Sequence, residues 1–89
     1  MSKLLKTAQA GTVESTDVLI TLSPAEEGTG LQVELVSPTM QQFGVHITNL
    51  IKQVLQESGI KDAKIHANEK GAMDYTIEAR VKTAIARAM

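Results

Sequence analysis

Hydrophobic and polar residues alternate along residues 17–23, DVLITLS. Val18, Ile20 and Leu22 share one face, with Leu19 and Thr21 on the other, the two-residue period of a half-buried strand. Pro24, Gly28 and Gly30 in SPAEEGTG mark the loop that ends it. The alternation returns over 31–37, LQVELVS, predicting another antiparallel strand. A weaker strand is predicted over 9–14, QAGTVE, which leaves Ser15, Thr16 and Asp17 in a tight turn between two strands.

The period changes at SPTMQQFG. Apolar residues fall at Met40, Phe43, Ile47, Leu50, Ile51, Val54 and Leu55, spacings of three and four that predict an amphipathic helix. Ser37 or Thr39 suits its cap, Pro38 its first turn and Gly59 its C-terminal stop. Residues 63–67, AKIHA, predict a short strand, and NEKG a turn. The last segment supports two periods at its start. Tyr75, Ile77, Ala79 and Val81 alternate, whereas Met73, Ile77, Val81, Ala84, Ile85 and Ala88 fit a helix over a longer run. Its Ala, Glu, Lys and Arg content favours a helix from about 72 to 88, with an extended start over 72–76 as the competing pattern. Residues 1–8 lack a period and are expected to be a flexible arm, with Leu4 and Leu5 as its docking residues. Residues 9–89 form the single domain. The order β-β-β-α-β-α predicts an α+β, two-layer domain, a mainly antiparallel sheet with two helices packed on one face.

Composition narrows the function. With 89 residues the chain suits one small domain. The hydrophobic fraction is 43%, but there is one Phe, one Tyr and no Trp, so the core is aliphatic. Scarce aromatics and a net charge of −1 without a basic tract argue against nucleic-acid binding. No run approaches the roughly 18 apolar residues of a membrane span, and MSKLLKTAQA holds only a two-residue apolar run, so a cytoplasmic protein is the expectation. The absence of cysteine excludes disulfides, thiolate metal sites and cysteine nucleophiles.

The polar residues assemble little chemistry. His46 and His66 have no partner at metal-ligand spacing and read as surface or edge residues, so no metal site is expected. Glu26 and Glu27 read as solvated loop charges, and no phosphate-cradling glycine motif occurs. Nucleophile, base and orienting group do not come together, so the unmodified chain is not expected to be an enzyme. Ser15 keeps two readings. It is an ordinary turn serine bonded to local backbone, or an exposed hydroxyl at a hairpin tip that accepts a covalent group.

AGTVESTDVLITL, followed in order by LQVELVS, QQFG, IKQVL and NEKGAMDYTIEARVKTAIARA, resembles the citrate lyase acyl carrier proteins from about residue 8 to residue 88. The most specific stretches are AGTVES-D and KGAMD…ARV. The resemblance implies that Ser15 is the carrier serine. It would hold a 2'-(5''-phosphoribosyl)-3'-dephospho-CoA group through a phosphodiester, which would also supply the thiol that the chain lacks. It further implies a non-catalytic subunit that carries acetyl and citryl thioesters between an alpha (acyl transferase) and a beta (lyase) subunit, after modification by a prosthetic-group transferase. No nucleic acid or membrane is implied. Glu14 and Asp17, flanking the serine, are candidates for recognition by that attaching enzyme; otherwise they are solvated turn charges. Alternatives are the acyl carrier of malonate decarboxylase, which carries the same kind of group, and an unmodified scaffold subunit. Phosphopantetheine carriers are set apart, since they are four-helix bundles with Asp before the serine, where this chain has Glu14 in strand-like surroundings. One departure bears on the turn: relatives commonly have Gly or Ser after the carrier serine, whereas Thr16, being β-branched, is expected to resist positive φ.

Overall fold

The computed structural model describes residues 3–89; residues 1 and 2 of the expected arm lie outside the described residues. The elements are β1 (Ala8–Gly11), β2 (Val18–Pro24), β3 (Leu31–Val36), α1 (Met40–Glu57), β4 (Ala63–Glu69) and α2 (Asp74–Ala88), in the predicted order. The strands form one four-stranded sheet, ordered β1-β2-β4-β3.

The sheet is mixed, which corrects the assignment of residues 31–37 as a further antiparallel strand. β2 is antiparallel to β1 and to β4, but β3 runs parallel to β4, with Val33 opposite Ile65. The loop after β2 does not close a hairpin. Its Gly28 and Gly30 amides donate to Asp62 Oδ1 at 3.1 and 2.8 Å, so the loop is tied to the residue just before β4. β4 thus occupies the place beside β2. The β3–β4 connection is helix α1, the long crossover that parallel neighbours require.

Val18, Ile20 and Leu22 on β2 share a buried face with Ala63, Ile65 and Ala67 on β4. Both helices cover that face: α1 packs over β3, α2 over β1 and β2, and the helices pack on each other. The core is aliphatic, as predicted, with Ile51, Leu55, Ile77 and Val81 fully buried from the helix side. Leu4 is buried in it, whereas Leu5 is 75% exposed, and the Leu5 and Lys6 amides donate to the Ala88 carbonyl.

The helix boundaries follow local chemistry. Thr39 is the N-cap residue of α1, so Pro38 stands before the cap and not in the first turn. Gly59, at φ 79°, ends the helix, and the Ile60 amide closes onto the Leu55 carbonyl at 2.9 Å. α2 starts at Asp74. Met73 before it is extended, with φ −75° and ψ 158°, so the extended start expected over 72–76 gives way to helix from residue 74.

The strand registers bring three connections to one end of the sheet. Gly11 pairs with Leu19, Val18 with Glu69, and Val36 with Asn68. The β1–β2 turn, the β3–α1 loop and the β4–α2 loop therefore lie side by side, and Ser15 is on the first of them.

Candidate functional site

The turn begins at Gly11, whose φ is +97°. A Cβ added there would lie 1.8 Å from the Val18 carbonyl oxygen, so the backbone of β2 occupies the space that any side chain would need. β1 accordingly ends at Gly11 and does not run on to Glu14 as the pattern predicted. The reversal itself is a turn over residues 14–17, closed by the Asp17 amide donating to the Glu14 carbonyl at 3.1 Å.

Thr16 has φ 65° and is the one non-glycine residue at positive φ among the described residues. With Ser15 at negative φ, these are the signs of a type II turn, whose third position usually holds glycine. Thr16 was expected to resist this conformation, yet it adopts it. Hydrogen bonds hold it there: the Thr16 amide donates to the Lys70 carbonyl at 2.7 Å, and the Lys70 amide donates to the Asp17 carbonyl at 2.9 Å. The turn is pinned to the end of β4 from both sides. Such a residue stores strain of order 1–3 kcal/mol, which persists only where the surroundings over-determine it.

Asp17 is fully engaged. Arg80 of α2 grips its carboxylate with two bonds, Nε to Oδ1 at 3.0 Å and Nη2 to Oδ2 at 2.9 Å. The Thr12 hydroxyl donates to Oδ2 at 2.7 Å and the Val18 amide to Oδ1 at 2.7 Å. The hydrogen bond from Arg80, then that from Thr12, holds the Asp17 pKa down at about 2 from an ordinary 3.8. In the structure this carboxylate is a clamp between the turn and α2, not a solvated turn charge.

A carboxyl whose pKa is depressed on folding stabilises the fold above its unfolded value. The contribution is lost as pH falls from 3.8 through about 2. Arg80 is 40% exposed. Water therefore screens the pair, and the expected loss is about 1 kcal/mol. Urea midpoints measured between neutral and acid pH should fall more steeply for the parent than for Asp17→Asn; parallel curves would contradict the clamp.

Ser15 is exposed, and among the described residues its hydroxyl makes no hydrogen bond. Local backbone is served instead by the Thr12 hydroxyl, which accepts from the Glu14 amide at 3.2 Å, and by Asp17. Glu14 is exposed beside Ser15. The three candidate residues thus share one turn, with the Ser15 hydroxyl exposed at its tip.

The other polar candidates lie elsewhere. Glu26 and Glu27 are exposed in the loop after β2, at the far end of the sheet. His46 and His66 are half-exposed on different elements, one 2.8 Å from Asp74 and the other 3.3 Å from Glu34.

Three residues that support the site were not anticipated. Gly11 had a local signal, since glycine inside a strand pattern marks a bend or a close backbone approach. Glu69 had a weaker one. Extending the alternation of Ala63, Ile65 and Ala67 by one step places it inward, and it is 1% exposed there. It accepts from the Ser37 hydroxyl at 2.7 Å and from the Ala72 amide, joining the β3–α1 and β4–α2 loops beneath the turn. Arg80 had no local signal, because its partner is 63 positions away in the chain.

Comparison with known proteins agrees with this architecture. The profile of the family described as "Malonate decarboxylase delta subunit (MdcD)" matches residues 5–88. One chain in the "Crystal structure of a Pseudomonas malonate decarboxylase hetero-tetramer in complex with malonate" superposes with a TM-score of 0.80. The match covers 99% of this chain and 89% of that one, and at 14% identity it supports the fold alone. Closer in sequence are three citrate lyase acyl carrier proteins. That of Halothermothrix orenii is 41% identical over 86 residues, 97% of this chain and 89% of the relative. That of Rhodopseudomonas palustris is 42% identical over 87 residues, 98% and 88% of the two chains. That of Streptococcus equi subsp. equi is 48% identical over 81 residues, 91% and 78% of the two. With such identity along nearly its whole length, the chain belongs to the citrate lyase acyl carrier protein family.

Proposed function

We propose that the chain is the acyl carrier subunit of a citrate lyase and that Ser15 is its attachment point for a 2'-(5''-phosphoribosyl)-3'-dephospho-CoA group. The observation that carries this reading is the Ser15 hydroxyl itself, exposed and, among the described residues, unbonded at the tip of a turn whose backbone is held on both sides by Lys70. When bound, the group supplies a thiol that carries acetyl and citryl as thioesters between an alpha (acyl transferase) and a beta (lyase) subunit, during cleavage of citrate to acetate and oxaloacetate.

The residues of this chain do the anchoring. Ser15 Oγ forms the bond to phosphorus as the bond from phosphorus to its leaving oxygen breaks, and the hydroxyl proton passes to a base of the attaching enzyme. Glu14 is exposed for recognition at that step, whereas Asp17 contributes by holding the turn against α2 through Arg80. A long arm on a rigid mount raises the effective concentration of its cargo at more than one site, without any catalytic group in the carrier. The subunit is therefore read as non-catalytic. No described helix is long and apolar enough to cross a membrane, and we place the subunit in the cytoplasm.

The relatives at 41–48% identity favour citrate lyase over malonate decarboxylase as the parent complex. A thiol-specific reagent tests the reading simply, because the chain has no cysteine. Protein purified from its native host and treated with neutral hydroxylamine, which cleaves any thioester and frees the thiol, should take up the label. Protein made in a host without the attaching enzyme should take up none. An unlabelled native protein, in a complex that cleaves citrate, would favour the unmodified scaffold instead.

A further inference from the structure

Two local rules are broken beside Ser15. Thr16 occupies a left-handed position that glycine would fill without strain. Met73 occupies the N-cap of α2, makes no side-chain capping bond and is 63% exposed, where Ser or Asp would stabilise the helix. Departures of this kind concentrate where a surface serves something other than the fold.

Several exposed apolar residues share this location, although Leu5 and Met89 lie at the other end of the molecule. Val13, Val36, Met40, Phe43, Met73 and Tyr75 all lie at the end of the molecule that carries Ser15. Val13 is on the turn itself, 52% exposed, and Met73 follows closely on Lys70, whose backbone is bonded to the turn. Charge adds a second feature. Asp17 is matched by Arg80, while the Lys70 side chain is exposed beside the turn. An incoming phosphate donor meets this cation together with the exposed Glu14 carboxylate beside Ser15.

We propose that Val13, Lys70 and Met73 form the docking surface for the enzyme that attaches the prosthetic group, Val13 and Met73 through apolar contact and Lys70 by facing the anionic donor. The proposal rests on Ser15 being the attachment point. Reach selects this occupant. Bond formation at Oγ requires the attaching enzyme to close to within about 3–3.5 Å of that atom, so it must cover the residues next to the serine. The subunits that later handle the acyl group meet a thiol at the far end of a long arm and need not touch the turn.

The test is the rate at which the chain gains the mass of the group in its native host, followed by intact mass after a short induction. The combined variant Val13→Ser and Met73→Ser removes the apolar contacts, while a serine at residue 73 supplies the missing cap, so the fold is retained. It should be modified about tenfold more slowly than the parent. Lys70→Gln should also slow modification. Leu5→Ser, which changes another exposed apolar residue but at the opposite end of the sheet, should be modified at the parental rate. The proposal is overturned if the double variant stays within about twofold of the parent, or if Leu5→Ser is slowed as much. It is also overturned if the double variant is modified normally but lost from the assembled complex, since the patch would then belong to the large subunits. A parent without the group on Ser15 would overturn the functional reading and, with it, this proposal.

Discussion

Ser15→Ala should abolish citrate cleavage by the reconstituted complex while leaving the carrier folded. The hydroxyl is exposed and carries no hydrogen bond among the described residues, so its removal breaks no contact of the fold. Stability should remain within about 0.5 kcal/mol of the parent, as for surface positions free of special backbone demands. Activity should nevertheless fall to background, because the proposed arm loses its attachment oxygen and the chain has no thiol of its own. Few substitutions separate stability from function so sharply, and that separation distinguishes a carrier from a scaffold. A scaffold needs the surface of the turn but not its oxygen, and would keep its activity. Citrate cleavage measured with excess alpha and beta subunits, beside a thermal melt of the variant alone, decides between them.

Gly11→Ala should have the opposite profile, a large loss of stability at a residue that touches no ligand. The new methyl group would stand 1.8 Å from the Val18 carbonyl oxygen, which belongs to the backbone and cannot rotate away. The φ of +97° is itself unfavourable for alanine. Overlap and backbone strain together predict a loss of about 3 kcal/mol or more, with residues 8–11 displaced from β2. Gly28 separates the two causes. Its φ is +92°, but a Cβ there would meet nothing within 4 Å, so Gly28→Ala should lose only about 1–2 kcal/mol. Denaturant midpoints of the two variants provide the comparison; equal losses would remove the Val18 contact from the account.

The two profiles connect through the structure of the turn. AGTVES-D and KGAMD…ARV, the stretches that carry the resemblance most specifically, are far apart in the chain. They meet in space. Thr16 and Asp17 bond with Lys70, Val18 pairs with Glu69, and Arg80 closes on Asp17. One stretch presents the serine, and the other is its mount.

Period and punctuation made most of the fold legible. Val18, Ile20 and Leu22 alternate because one face of β2 is buried, and Ile47, Leu50, Ile51, Val54 and Leu55 recur at helical spacing for the same reason. Alternation says which face a strand buries but not which neighbour it takes. The parallel pairing of β3 with β4 was therefore hidden, although Asp62, reaching back to Gly28 and Gly30, is one of the contacts that enforce it. At the site, Ser15 was legible as an exposed turn hydroxyl and gained weight only from resemblance. The positive φ of Thr16 was not, because local preference opposes it and the bond from its amide to Lys70 is a tertiary contact. The clamp between Asp17 and Arg80 was hidden for the same reason: no local pattern announces a partner that the fold delivers.

Ser15 is the proposed anchor of the prosthetic group. The most direct measurement is the mass of the protein isolated from its native host within an active complex, mapped by fragmentation to the residue. The chain should be heavier than its sequence by one phosphoribosyl dephospho-CoA unit, with all of the added mass on Ser15. Unmodified Ser15 in a complex that cleaves citrate would contradict it.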